Sequence, residues 1–487
     1  MRVKMGGRKG ATVVDRLSPE DVAALYLEEP TAPMHVGSVS IFQESECSLD
    51  YDRLVRLLTE RIAMAPRYRQ RLKWVPGNLG APVWVDDTSF DITFHVRRSA
   101  LPRPGTDAQL QELVARIMAR PLDRSKPLWE MYLVEGIKGR RFALLTKSHH
   151  ALVDGVTSVD ISQVILDDAA RDDFALEQMW RPAREPSKVS LVLSAAGEQV
   201  RSPADAVATV RRSVTDVTTA VTGVGRSALA LVSAAMSVAR SPAHGPLNFE
   251  VSAQRRFAMA ALRLSDFKAV RAAHGGTVND VVLAVVAGAM RTWLLGRGEP
   301  LTTRTEITAL VPVSVEPSHD REHAGDVHPF LVHLPVGEAD PVVRLSRISY
   351  EMGRHRESQR LVGAETLSAI AGFAPPTLHA LGTRLGADIS LRTYNLVVTN
   401  VPGPQTALYV GQCEMIAAYP VVALTRGHGL SIGLTSYNGG VFFGLNADRD
   451  GVADVTDLAL ALKTSMTELK DTIRGRRRTR TRPKPQT

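Results

Sequence analysis

Cysteine is nearly absent: Cys47 and Cys413 are the only two in 487 residues. That excludes a disulfide framework and a thiolate metal site, and fits a reducing compartment. Aromatic residues make up only 5% of the chain, so any core must be packed by aliphatic side chains. No transmembrane helix is expected. The most apolar stretch, 227–239, is bounded by Arg226 and Arg240 and falls short of the ~18 to 20 residues a span needs. The N-terminus carries charge without the apolar run of a signal peptide. G-x-G-x-x-G and a phosphate loop are missing, so no Rossmann cofactor or P-loop nucleotide is indicated.

Net charge is +8, but the body lacks a positive excess. Residues 1–10 hold four bases (Arg2, Lys4, Arg8, Lys9), residues 474–487 hold seven, and neither stretch contains an acid. Without those eleven, 48 bases face 51 acids. The body is a near-neutral globule with two basic tails, and nucleic acid is not an expected partner. The tails are either solubilising chain or contacts for anionic lipid headgroups. With 44% hydrophobic residues, the length suggests two or three domains with substantial cores.

What stands out is Ser148-His149-His150-Ala151-Leu152-Val153-Asp154-Gly155. It follows the apolar run 141–146, which reads as a buried strand ending where the histidines begin. A helix is expected over 156–167, which puts the histidines on a turn between strand and helix, a common mounting for function. A full His-His-x-x-x-Asp-Gly arises by chance in about one chain in several hundred. The bland alternative is a surface histidine pair beside a turn. The chemical reading makes one histidine a general base, since an unperturbed imidazole titrates near ~6.5. Adjacent histidines on a strand point to opposite faces, so a shared metal ion is disfavoured.

Along the chain, helices are predicted from Ser18-Pro19, over 51–63 and over 109–119, with strands over 35–42 and 67–75. A hairpin is predicted from strands 131–134 and 142–147, turning at 136–140. Residues 204–239 read as apolar helix, either core, lid or membrane-facing. The second half alternates again: strands over 257–264, 307–315, 396–399, 417–424, 430–435 and 441–445, with helices over 281–295, 342–356, 365–373, 377–385 and 455–473. Asn279-Asp280 is expected to cap the helix from 281, and Asn400 to Pro404 to form a rigid turn. The organisation expected is a basic extension 1–16, a first domain 17–180, a helical connector 181–250, a second domain 251–473 and a basic tail 474–487. Mixed order argues for α/β layers.

Several motifs in order resemble the bacterial wax ester synthase/acyl-CoA:diacylglycerol acyltransferase family. They are Pro33-Met34-His35-Val36-Gly37, Pro127-Leu128-Trp129, the histidine motif, Asn279-Asp280, Val311-Pro312-Val313-Ser314-Val315 and Asn400-Val401-Pro402-Gly403-Pro404. The resemblance runs from about Leu17 to Ile473. Thr399 departs from it, since a serine often precedes the Asn-Val-Pro-Gly-Pro run. The resemblance implies two chloramphenicol-acetyltransferase-like α/β domains, with mixed sheets flanked by helices and a tunnel between them.

On that resemblance, the expected reaction is transfer of a long-chain acyl group from acyl-CoA to diacylglycerol, or to a fatty alcohol, without an acyl-enzyme. His150 is the expected base and His149 a supporting neighbour. Asp154 either orients His150 as in a triad or, as the family implies, is architectural beside Gly155. Asn279 is either an oxyanion or substrate contact or a plain cap; Asp280, Asn400 and Gly403 complete the motif positions. No cofactor and no metal are expected, acyl-CoA being a substrate. The expected location is cytoplasmic, peripheral to a membrane or lipid-droplet surface. The competing readings are an acyltransferase for another hydroxyl (a sugar or polyketide lipid), a thioesterase, and a non-enzymatic lipid-coat protein.

Overall fold

A computed structural model describes residues 15–44, 49–78, 80–153, 161–170, 180–192, 194, 245–314, 327–358 and 394–480. Asp154, Gly155, the expected helices at 204–239, 365–373 and 377–385, and the tail beyond 480 lie outside those residues.

The first half opens with α1 (Pro19–Leu27), where the Ser18 side chain accepts the Asp21 N–H and proline takes the first position. Strand β1 (His35–Gln43) and helix α2 (Tyr51–Arg61) follow, the helix burying Leu54, Leu57 and Leu58. The strand expected over 67–75 is shorter. Pro66 starts a helical turn over Pro66–Arg69, and only β2 (Gln70–Lys73) extends, pairing with β3 (Val83–Asp86). Then come α3 (Ile92–His95), β4 (Val96–Ala100) and α4 (Asp107–Met118), the last closed by a Thr106–Gln109 capping box. The expected hairpin is present as β5 (Trp129–Ile137) and β6 (Arg141–His149). Two short helices, α5 (His150–Val153) and α6 (Ile161–Ile165), complete this half; of the helix expected over 156–167, the described part is α6.

The second half runs β7 (Arg255–Arg263), α7 (Leu264–His274), α8 (Val278–Gly296), β8 (Ile307–Ser314), β9 (Val327–Leu334), α9 (Pro341–Ser358), β10 (Leu396–Pro402), β11 (Tyr409–Val410), β12 (Cys413–Val421), β13 (Leu430–Tyr437), β14 (Gly440–Asp448) and α10 (Val455–Arg480). Helix α8 is long and apolar enough to cross a membrane, but 72% of that window is buried inside the protein. It is the central core helix of this half, buried continuously from Asp280 to Met290. Helix α10 does not stop at Ile473 as expected; it continues to Arg480, carrying Arg474 and Arg476 to Arg478 on helix.

Two six-stranded mixed sheets result, ordered β11-β12-β1-β6-β5-β4 and β7-β14-β13-β10-β8-β9. Each sheet has its own aliphatic core. The halves are not separate in sequence, because β12, from the last quarter of the chain, pairs antiparallel with β1 in the first sheet. At Pro420, still paired with Ser38, β12 crosses β13 and β14. Gly433 and Gly444 face each other in register there. A Cβ on Gly444 would lie 1.9 Å from the Pro420 carbonyl oxygen, and one on Gly433 2.7 Å from the Val422 side chain. The paired glycines make the notch through which the crossing strand passes. Asn446 then donates to the Val422 carbonyl and Ser431 to that of Ala423.

Candidate active site

Strand β6 lies between β1 and β5, and its run Phe142 to Leu145 is buried on both faces. It ends at His149, which pairs with His35 of β1. The His149 N–H donates to the Leu128 carbonyl, and the His150 N–H to that of Met34. His149 is therefore the last strand residue and His150 the first of α5, so the pair straddles a strand–helix junction rather than sharing a turn.

The two imidazoles differ in surroundings. His149 is buried. Its Nδ1 accepts the N–H of Ala151 at 3.1 Å, so the ring caps the first turn of α5. An accepting Nδ1 places the ring proton of neutral His149 on Nε2, which lies 3.5 Å from Glu28 Oε2. Nδ1 is hydrogen-bonded, while Nε2 faces the carboxylate at ion-pair range without a hydrogen bond. His150 is half-buried at the head of α5.

Below the histidines lies a buried polar layer. Glu28 stands between His149 and His35, with His35 Nε2 3.6 Å from Oε1 and Arg124 closing over the carboxylate. Burial alone would raise the Glu28 carboxyl; the contacts with His149 and Arg124 outweigh it and bring it down to about 2. His35 is pushed down to about 3, first by burial and then by the nearby Lys147 charge. Its Nδ1 faces the Met118 carbonyl at 3.2 Å, as a donor in the neutral ring. Lys147 is fully buried, and burial pushes its ammonium down to about 8, with Glu130 at 3.8 Å opposing the shift. Its Nζ donates to the carbonyls of Ile117 and Arg120. Lys147 and His35 thus satisfy carbonyls at the C-terminal end of α4, where positive charge suits the helix dipole.

The second-half motif residues come together in part. Asn400 Nδ2 donates to Asn279 Oδ1 at 3.0 Å, and both side chains are half-buried. Neither Asn279 nor Asp280 is the cap expected from the sequence. Thr277 is the cap, and Asp280, fully buried at the third helical position, accepts the Thr277 N–H in a reciprocal capping box. The expected turn from Asn400 is also displaced. Asn400, Val401 and Pro402 continue β10, paired parallel with β13. The Gly403 N–H faces β13, so the missing N–H of Pro402 falls on the other side, beyond the β8 pairing that ends at Val397. Gly403 makes the close approach expected of it: its N–H donates to the Ser436 carbonyl, whose oxygen would lie 2.5 Å from a Cβ there.

Sequence reasoning missed Glu28, the pairing of His35 with His149, and Lys147. Only Lys147 carries a signal, a cation close behind the apolar run Phe142 to Leu145 of a central strand. Among the described residues, no group of three or more His, Cys, Asp or Glu side chains is placed to hold a metal ion.

Residues 17–282 match the family described as wax ester synthase/diacylglycerol acyltransferase catalytic domain, and residues 326–470 match the C-terminal domain of the same family. A probable diacylglycerol O-acyltransferase, tgs2, of Mycobacterium tuberculosis is 34% identical over 472 residues, covering 94% of this chain and 100% of its own. A second from that organism, tgs3, is 44% identical over 261 residues, which is 53% of this chain and 96% of its own. The solved wax ester synthase/diacylglycerol acyltransferase of Marinobacter aquaeolei VT8 is 28% identical, with a TM-score of 0.67, over 94% of this chain and 99% of its own.

Proposed function

The chain belongs to the wax ester synthase/diacylglycerol acyltransferase family, and from that premise we propose that it esterifies diacylglycerol with long-chain acyl groups from acyl-CoA, His150 acting as general base. The diacylglycerol hydroxyl oxygen attacks the thioester carbonyl carbon while His150 takes its proton. The carbonyl becomes an oxyanion, which collapses and breaks the C–S bond. The imidazolium returns the proton to the departing CoA thiolate, leaving triacylglycerol and CoA. The step balances with one base, without an acyl-enzyme, metal or cofactor.

The observation that carries this assignment is the engagement of His149. A buried ring with Nδ1 on the Ala151 N–H and Nε2 toward Glu28 supports the first turn of α5, and the base is assigned to its neighbour His150, half-buried at the head of that helix. Asn279 is the proposed substrate or oxyanion contact. Its Oδ1 is held by Asn400, which directs the Nδ2 hydrogens away from that partner as donors. Asp154 and Gly155 are proposed to shape the turn after His150. Acyl-CoA and the acceptor are proposed to reach it from opposite ends of a tunnel between the two halves. Diacylglycerol is the first acceptor to test because the mycobacterial relatives are named for it, and a fatty alcohol the second because the Marinobacter protein is also named a wax ester synthase. Such acceptors reside in membranes or droplets, and the arginine-rich end of α10 is proposed to rest on that anionic surface.

The test supplies labelled palmitoyl-CoA alone, with diacylglycerol, and with hexadecanol. CoA release should be slow alone and climb steeply with acceptor, the label entering neutral lipid, because a transferase must keep water from the thioester. Release at one rate regardless of acceptor would make the protein a thioesterase and overturn the reading. A response only to a polar hydroxyl would move it to another acceptor class.

A further inference from the structure

Pro127-Leu128-Trp129 touches the catalytic segment at both ends, and the second contact is made through Tyr68. At the near end, the Leu128 carbonyl accepts the His149 N–H at 2.9 Å. At the far end, the Ile161 N–H, at the start of α6, donates to the Tyr68 hydroxyl at 3.0 Å. Tyr68 is itself fastened to Trp129. The indole Nε1–H donates to the Tyr68 carbonyl at 2.7 Å, and the two rings meet edge to face at 5.6 Å. Trp129 is held in turn by His95, stacked on it at 4.7 Å with Nδ1 2.8 Å from the Trp129 carbonyl. Tyr68 and Trp129 are both almost wholly buried.

We propose that Tyr68 is a positioning residue for the catalytic turn: its hydroxyl, locked by Trp129, anchors the C-terminal end of the segment that begins at His149, so that Leu128-Trp129 spans that segment as a clamp. Residues 150–160 lie between the two anchors. The first anchor, Leu128, directly precedes β5, and the second, Tyr68 on the helical turn Pro66–Arg69, is fastened to Trp129 at the start of β5, so β5 ties the two anchors together. The base must stand within hydrogen-bond reach of the attacking hydroxyl, and small displacements there are costly. A buried tyrosine serves where phenylalanine would fill the space equally well, because only the hydroxyl can accept the Ile161 N–H. That donor would otherwise be buried without a partner.

The inference rests on His150 being the base, and its test separates the two. Tyr68→Phe removes one oxygen and keeps the ring. With acyl-CoA and diacylglycerol, kcat per folded molecule should fall by about ten- to a hundredfold while both KM values stay within about twofold. Trp129→Phe, which loses the indole donor to Tyr68, should lower kcat in the same direction. Tyr51→Phe is the control: it loses a comparable bond, from its hydroxyl to the Val96 carbonyl on the edge strand β4. It should lower the melting temperature without lowering kcat by more than about twofold. Hydrogen exchange over residues 149–165 supplies a readout independent of turnover, and should speed up in Tyr68→Phe and not in Tyr51→Phe. If Tyr68→Phe loses only melting temperature, or its exchange over 149–165 matches the wild type, the clamp is refuted. If the wild type transfers no acyl group to any acceptor, the catalytic reading falls and the exchange comparison alone decides the clamp.

Discussion

His149 and His150 are neighbours in sequence with opposite circumstances, one facing a half-buried carboxylate and the other at the head of a short helix. Their replacement should separate along that line. His150→Ala is expected to lower acyl transfer by about 10²- to 10⁴-fold with little change in melting temperature, the usual worth of a general base. His149→Ala should cost less rate and more stability, since it uncaps α5 and leaves Glu28 without its nearest imidazole. His149→Asn, whose amide oxygen can take the Ala151 N–H, should recover much of the loss. Equal, near-wild-type CoA release from both alanine variants would remove the assignment. The buried layer beneath also predicts an acid limb of stability. His35 is pushed from 6.5 to about 3, so the unfolded chain binds its proton first as pH falls. Its contribution is whole above pH 6.5 and is lost on the way down to 3. Glu28 is pushed from 4.5 to about 2, so its contribution is whole above 4.5 and is lost between 4.5 and 2. Melting temperature should therefore decline from pH 6.5 and more steeply below 4.5, and Glu28→Gln should flatten the lower limb. A melting temperature constant between pH 6.5 and 4.5 would contradict the placement of His35.

At the scale of elements, β12 crosses closely over the Gly433–Gly444 notch. Gly444→Ala drives a methyl against the Pro420 carbonyl, a backbone atom that cannot rotate aside. It should cost about 1–3 kcal/mol, the range for overpacking, read as a lower midpoint in denaturant with an unchanged slope. The elements that sequence revealed well are those whose pattern is local. These include the β5–β6 hairpin with its glycine turn, the amphipathic α2, and α8 with its unbroken apolar run. What stayed hidden depends on partners. Strand β4, Val-Arg-Arg-Ser-Ala, is polar because it is the edge of the first sheet. Strand β12 reads as a strand but gives no sign of which sheet it joins, since its register is with β1, about 380 residues earlier. Asn279 and Asp280 look like caps because any Asn or Asp before an apolar run does; the Thr277 hydroxyl competes for the same N–H groups and takes that of Asp280. The histidine motif was legible because its residues are contiguous. Glu28 was not, because nothing in Leu27-Glu28-Glu29 marks which glutamate turns inward.

For the whole molecule, charge and topology set different behaviours. The body is near-neutral and the end of α10 is basic, and the proposed surface contact can be tested apart from catalysis. Removing residues 474–487 should weaken binding to anionic vesicles, most at low salt, and leave turnover of dispersed substrate within about twofold, since each base near such a surface contributes about 1 kcal/mol. Equal vesicle binding by full-length and shortened protein would leave those arginines as solvated charge. The β12–β1 pairing has a further consequence, in time. During synthesis β1 leaves the ribosome early, and the strand that completes its edge follows only after about 380 more residues, a wait of about 20 to 80 s at ordinary elongation rates. Throughout that interval the strand carrying His35 has one side unpaired, which makes the nascent first half a substrate for chaperones and a site for wrong pairing between neighbouring chains. How much active protein a cell obtains is then set by how quickly the last quarter of the chain arrives.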